Sequence, residues 1–217
     1  MPTAMTYNSL LNDLRAYLER GATLATDPTV YEMLPTLIGM AERRLARELK
    51  IQGTVNVVTT ALIAGQSVYD KPDRWRETVS IFVGTGTGNN TRSEVYPRSY
   101  EYIRSYWPNP TTTGTPRFYA DYDYSHWLIA PTPSSALPME ILYYEIPPLL
   151  DDSNQTNWFT EYAPNALLYA ALLEATPFLK NDERIATWEG FYNRAVAALN
   201  GEDIRQISDR GIIRRED

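Results

Sequence analysis

The stretch ALLYAALL, residues 166–173, is apolar without a break. It is too short to span a bilayer, which takes about 20 such residues. Polar residues, Asn165 and Glu174, flank it on both sides. Pro164 suits the first turn of a helix here, and Thr176-Pro177 ends it. A surface helix carries one apolar stripe. A helix apolar around its whole circumference must be covered on every side, so the rest of the chain has to supply the cover.

Both ends of the sequence offer it. Tyr7, Leu10, Leu11, Leu14, Tyr17 and Leu18 recur at helical spacing, and Arg20-Gly21 reads as the stop. Asp27-Pro28 starts a second helical run, striped by Leu34, Ile38, Ala41, Leu45 and Leu49. Pro35 falls inside that run and predicts a break: a short helix, then a longer one from near Leu34. Downstream of ALLYAALL, Asn181 caps a further helix, with Asp182 and Glu183 in its first turn. Ile185, Trp188, Tyr192, Ala195, Val196 and Leu199 line one face of it, and Gly201 closes it.

Between these ends the texture changes. Residues 54–62 (TVNVVTTAL), 78–84 (TVSIFVG), 117–122 (RFYADY), 126–131 (HWLIAP) and 139–146 (MEILYYEI) read as strands. Residues 93–99 are placed to pair with 78–84 across GTGTGNN (84–90). Turns fall at 121–125 and 132–137, and Tyr100 to Trp107 reads as a short helix. Thr156 caps a short turn through Trp158. The expected fold class is therefore α+β: a helical bundle of N- and C-terminal helices, a β-rich antiparallel insertion, and an extended C-terminal tail. The expected parts are N-terminal helices (1–52), the β-rich insertion (53–150), a C-terminal helical hairpin packing on the N-terminal helices (151–201), and the tail (202–217).

With 217 residues the chain is long enough for a real core. It has no cysteine, which excludes disulfides, thiol catalysis and zinc–thiolate sites. No secretory h-region stands at the N-terminus, and no apolar run reaches membrane-spanning length, so no membrane is expected. The net charge is −7, and no segment is basic. A freestanding nucleic-acid binder carries a basic stripe; this chain does not. Tyrosine is abundant, 16 against 5 Phe, which fits either strands or partner interfaces.

No constellation carries chemistry. The one histidine, His126, has no second histidine to support a metal site, and it reads as a strand or turn residue. GTGTGNN departs from the dinucleotide fingerprint: Asn89 stands where the third Gly belongs, and polar coil follows. Asp121 with Asp123, and Asp151 with Asp152, read as turn and linker residues rather than paired acids. No catalytic residue, metal or cofactor is expected. Arg43, Arg47 and Lys50 share one side of the second helical run, with Arg44 beside them; this is either a solvated face or a contact to an acidic partner or to passing phosphates. Ala186, Gly190 and Ala197 make a small-residue face suited to close packing between subunits. In the tail, Ile204, Ile207, Ile212 and Ile213, with Arg215 nearby, belong either to a frayed end or to a segment that docks on a neighbour.

Three stretches resemble one known family. LIGMAERRLARELK (37–50) is similar to the amphipathic helix near the start of head-to-tail adaptor (connector, or tail accessory) proteins of tailed bacteriophages. LIAPTPSSALPMEILYYEIPPLL (128–150) resembles their Pro-x-Pro turn and the strand that ends in Tyr-Tyr and a proline pair. Residues 156–200 resemble their C-terminal helical hairpin, with its Asn-Trp, Leu-Tyr-x-x-Leu-Leu-Glu-Ala and Trp-x-x-x-Tyr. Residues 84–116 match no motif of that family.

The resemblance implies a non-enzymatic virion protein at the neck, assembled in the host cytoplasm. It implies a ring of twelve copies beneath the portal protein that joins the portal to the next tail component, of nozzle, stopper or tail-terminator type. Genomic double-stranded DNA would pass through the lumen without specific binding. Two other readings stay open: another connector ring such as a stopper or tail-completion protein, and a carbohydrate-binding or glycan-active module using Tyr119, Tyr122, Tyr124 and Trp127.

Overall fold

The computed structural model describes residues 4–19, 28–85, 91–178 and 183–212, with the backbone alone for 85 and 202–212. The chain divides into two compact units: residues 1–54 with 146–217, and residues 55–145.

The first unit is helical. Helix α1 (Tyr7–Leu18) starts at a capping box, in which the Thr6 hydroxyl accepts from Ser9 N and the Ser9 side chain reaches back to Thr6. It ends earlier than Arg20-Gly21 suggested, because Glu19 already takes the left-handed conformation, φ 52°. Helix α2 (Pro28–Glu48) runs without interruption through Pro35. This corrects the expected break. Proline inside a helix costs about 3 kcal/mol, while Leu34, Leu37 and Ile38 around it are fully buried and recover roughly 2 kcal/mol each. Packing outweighs propensity here.

The return segment opens with helix α4 (Trp158–Tyr162). Its cap is Asn157, one residue later than expected, and the Asn157 side chain accepts from Phe159 N and Thr160 N. Helix α5 (Pro164–Glu174) carries ALLYAALL. Helices α1, α2, α4 and α6 (Ile185–Ile212) all contact it. Ala166, Leu167, Leu168, Ala170, Ala171 and Leu172 are buried on every side of α5. The cover demanded by ALLYAALL is therefore the unit's own helices.

Helix α6 departs from expectation at its far end. Gly201 does not close it, and the backbone stays helical to Ile212, so 202–212 is not an extended tail. A single Gly costs about 1 kcal/mol in a helix interior, too little to end one that continues favourably on both sides. The expected cap Asn181 and its neighbour Asp182 lie outside the described residues, and Glu183, expected in the first turn, stands in the turn before the helix, which begins at Ile185.

The second unit holds a seven-stranded curled sheet in the order β1-β9-β3-β4-β6-β7-β2. Its strands are β1 (Val55–Leu62), β2 (Val68–Asp70), β3 (Trp75–Thr85), β4 (Thr91–Pro97), β6 (Phe118–Asp121), β7 (His126–Ala130) and β9 (Leu137–Glu145). Strands β3 and β4 pair antiparallel in the expected hairpin, Ile81 opposite Val95. The loop at 86–90 lies outside the described residues. The sheet is not wholly antiparallel: β4 and β6 pair parallel, as do the two-residue strands β5 (Thr113–Gly114) and β8 (Thr132–Pro133). All seven strands feed one core, which includes Leu62, Tyr69, Ile81, Val95, Tyr119, Trp127 and Ile141. The indole N–H groups of Trp75 and Trp127 both donate to the Thr78 hydroxyl, at 3.1 and 2.9 Å, which ties β3 to β7 across the curl. Helix α3 (Tyr100–Tyr106) lies against β6, where Ile103 packs with Ala120, Leu128 and Ala130.

Candidate interaction surfaces

The residues weighed for chemistry resolve into local structure. The Nδ1 of His126 lies 2.8 Å from the Asp123 carboxylate, and its Nε2 lies 3.2 Å from Asp70. Asp123 also accepts from Ser125 N at 2.7 Å, an Asx turn. Its carboxyl is held below the ordinary value, first by the hydrogen bond to His126. Asp121 pairs with the buried Lys71 ammonium at 2.7 Å, which also sits 3.7 Å above the Trp75 ring. Asp151 accepts from the Ser153 hydroxyl, which does most to hold its carboxyl low, and also from Asn154 N and Ser153 N. Asp121, Asp123 and Asp151 each serve their own turn or a neighbouring cation. Among the described residues no group of three metal-capable side chains occurs, and no helix is long and apolar enough to cross a membrane.

The sugar-stacking set does not exist as a surface. Trp127 and Tyr119 are buried in the sheet core. Burial is also the main reason the Tyr119 hydroxyl is pushed up to about 12. Only Tyr122 and Tyr124 of the four are exposed.

The cationic face is smaller than its spacing suggested. Arg43 and Arg47 are exposed on α2, but Lys50 lies past the helix end at Glu48. Arg43 donates to Gly39 O at 3.1 Å. Arg44 is an internal tie: its guanidinium bonds Glu48 at 2.9 Å and Glu174 of α5 at 3.3 Å, and covers the Tyr192 ring of α6 at 4.8 Å. Tyr192 in turn donates to Glu48.

A second tie is fully buried and was not foreseen. Glu42 on the core side of α2 has no exposed surface. Its carboxylate accepts from Leu150 N at 3.1 and 3.2 Å and from Asn157 Nδ2 at 2.5 Å. Asn157 also donates to Pro148 O at 3.0 Å while it caps α4. One carboxyl group thus fixes the returning segment 148–157 onto α2. Burial pushes its pKa up to about 7, against the pull of those two hydrogen bonds.

The exposed surfaces differ in kind between the units. On α6, Ala186, Gly190 and Ala197 are all exposed, and among the described residues a Cβ at Gly190 would meet nothing within 4 Å. At the α1–α5–α6 junction an open depression of about 500 Å³ is lined by Tyr17, Tyr169, Trp188 and Phe191, with Arg184 at its rim. Ile204, Ile207 and Ile212 are carried on the last turns of α6, while Ile213 and Arg215 lie outside the described residues. In the β unit, α3 and β6 present a run of aromatic rings. Tyr102 and Tyr106 stack at 6.1 Å and both meet the Phe118 edge, Tyr100 meets Tyr122, and Arg98 and Arg104 lie over rings of the same cluster. Tyrosine and arginine exposed together are the composition of protein–protein contact sites.

A family model described as SU10 adaptor protein matches residues 5–215, nearly the whole chain. The chain belongs to the SU10 adaptor protein family. The resemblance carried by residues 37–50, 128–150 and 156–200 is borne out, and the match extends across 84–116, where no motif was legible. Among curated proteins no match was found. Membership makes this adaptor a structural phage component, associated in the virion with other head or tail parts. A structural adaptor acts through the surfaces it presents to other virion parts.

Proposed function

We propose that this adaptor is a head-to-tail connector: a ring of copies, twelve in number, that sits beneath the portal at the neck. It joins the portal to the next tail component and lets DNA through. The family match over 5–215 is the observation that carries this reading. A ring is one heterologous contact repeated until it closes, so each copy needs two unlike faces. The small-residue face of Ala186, Gly190 and Ala197 supplies one. Among the described residues nothing packs on Gly190, so close approach by a neighbour gives it a reason.

The net charge of −7 supports a conduit role, because an acidic lumen lets phosphates slide rather than bind. Arg43, Arg47 and Lys50 are then contacts to an acidic partner or to passing DNA. The helical unit forms the ring body, and the β unit meets the next tail part. The C-terminal segment docks on the portal through Ile204, Ile207, Ile212 and Ile213, with Arg215 pairing acidic groups. A segment already helical to Ile212 pays less to order on docking than a disordered one.

Deletion of residues 202–217 tests the docking assignment. The shortened adaptor is expected to keep its circular dichroism spectrum and to lose cosedimentation with portal rings. Unchanged cosedimentation would remove the assignment.

A further inference from the structure

The seven-stranded sheet ends in two edges that are built differently. The β2 edge is three residues long and is followed at once by Lys71 and Pro72. Short length, lysine and proline are the usual defences of an edge against unwanted strand pairing. The β1 edge has none of them. Its eight residues, Val-Asn-Val-Val-Thr-Thr-Ala-Leu, contain no charge, proline or glycine. They pair with β9 in unbroken register from Val55↔Tyr144 to Leu62↔Leu137. No bulge twists the edge away, whereas the β3–β9 ladder of the same sheet has two register shifts.

Two observations fix which backbone groups face outward. Val57 N–H turns to its neighbour's side chain, Asn56 Oδ1, at 2.8 Å. Past the strand end, both Ile63 N–H and Ile63 C=O are engaged by the Tyr69 hydroxyl, at 3.0 and 3.1 Å. Both positions are odd-numbered. In an antiparallel ladder the bonding direction alternates residue by residue, so 55, 57, 59 and 61 turn their N–H and C=O groups to the open side. Among the described residues no other backbone meets them. Val57, 52% exposed, lies opposite the half-buried Leu142, and Val55 lies opposite Tyr144. The edge thus has an apolar shoulder for side chains that point the same way.

We propose that β1 accepts one added strand, an extended and uncharged segment of another polypeptide chain. Donors and acceptors repeating every two residues along a straight edge fit only an extended backbone. The shoulder beside the edge is apolar, Val57 next to Leu142 and Val55 next to Tyr144, and uncharged side chains suit it. This goes beyond the ring reading and does not depend on it, because the test uses the free, full-length chain.

The probe is a fluorescent peptide of sequence TVNVVTTAL, an uncharged, β-branched strand former. Two companion peptides are N-methylated at alternate residues, one on each hydrogen-bonding side. The expected result is saturable binding of the plain peptide, with amide exchange at Thr59 and Ala61 slowed at least tenfold. One N-methylated peptide should bind at least tenfold more weakly than the other. Absence of saturable binding overturns the proposal. So does equal binding by the two N-methylated forms, or slow exchange at these amides in the free chain, which would mean the edge is already covered.

Discussion

The two units solve the same problem, covering apolar surface, in opposite ways. The helical unit closes on itself. Helix α5 is apolar all round and is surrounded by its own chain, and the polar groups that enter, Glu42 and Arg44, are tied by named partners. The β unit closes its core but leaves its rim open, with an aromatic face on α3 and β6 and an undefended edge on β1. An assembly protein needs both properties. The difference predicts that substitutions in the first unit act on stability, while those on the second unit's rim, or on exposed small residues, act on association.

The largest effect is expected at Leu167, fully buried in α5. Leu167→Ala should cost about 3 kcal/mol in urea unfolding, from lost transfer energy and an incompletely collapsed cavity. A loss below 1 kcal/mol would mean that α5 is not the packed centre. Gly53→Ala comes next. A Cβ there would lie 2.1 Å from the Trp158 ring, so the indole or the 52–54 turn must move. A destabilisation of about 2 kcal/mol is expected, read as a lower melting temperature.

Glu42 gives a pH signature that no other described group of the helical unit produces. Its folded pKa, about 7, is raised above the ordinary glutamate value of about 4.5 that it has when unfolded. Between these values the folded state holds more protons than the unfolded state. Stability from this group is therefore full below about pH 4.5, falls as pH rises, and levels off above about 7. Glu42→Gln keeps an oxygen acceptor for Leu150 and Asn157 and removes the titration. The wild-type adaptor should lose about 2 kcal/mol between pH 5 and pH 8 relative to this variant. Parallel pH profiles would show that Glu42 is not buried as a carboxyl group.

The smallest effect separates the two kinds of surface most cleanly. Gly190→Ala meets open space, so the free chain should gain about 0.8 kcal/mol from helix propensity alone. Under the ring reading the same change weakens assembly. A variant that is more stable as a free chain and assembles as well as wild type would detach Gly190 from the subunit contact.

What was legible in the sequence follows the same division. The stripe of Leu34, Ile38, Ala41 and Leu45, the Pro164 helix start and the alternation of β3, β4, β7 and β9 were all readable, because periodicity reports which face is buried. What tertiary packing decides was not. Pro35 stays inside α2 because its neighbours are buried, and no local rule records that. Glu42 falls on the buried stripe, yet a single glutamate among leucines reads as a surface residue until Leu150 and Asn157 come to meet it. Arg44 looked like one more cation of an exposed group, because its partners Glu174 and Tyr192 are distant in sequence. Strand β2, three residues long, is too short for any period to register. Gly201 carried a stop signal that a continuing helix overrode.

The central claim is that this adaptor closes into a ring on a portal. Multi-angle light scattering and electron microscopy of the full-length chain, alone and mixed with portal rings, test it directly. The account predicts a twelve-copy collar on each portal, with the small-residue face of α6 at the contact between neighbouring copies. Single copies that decorate portals without contacting one another, or no association at all, would contradict it.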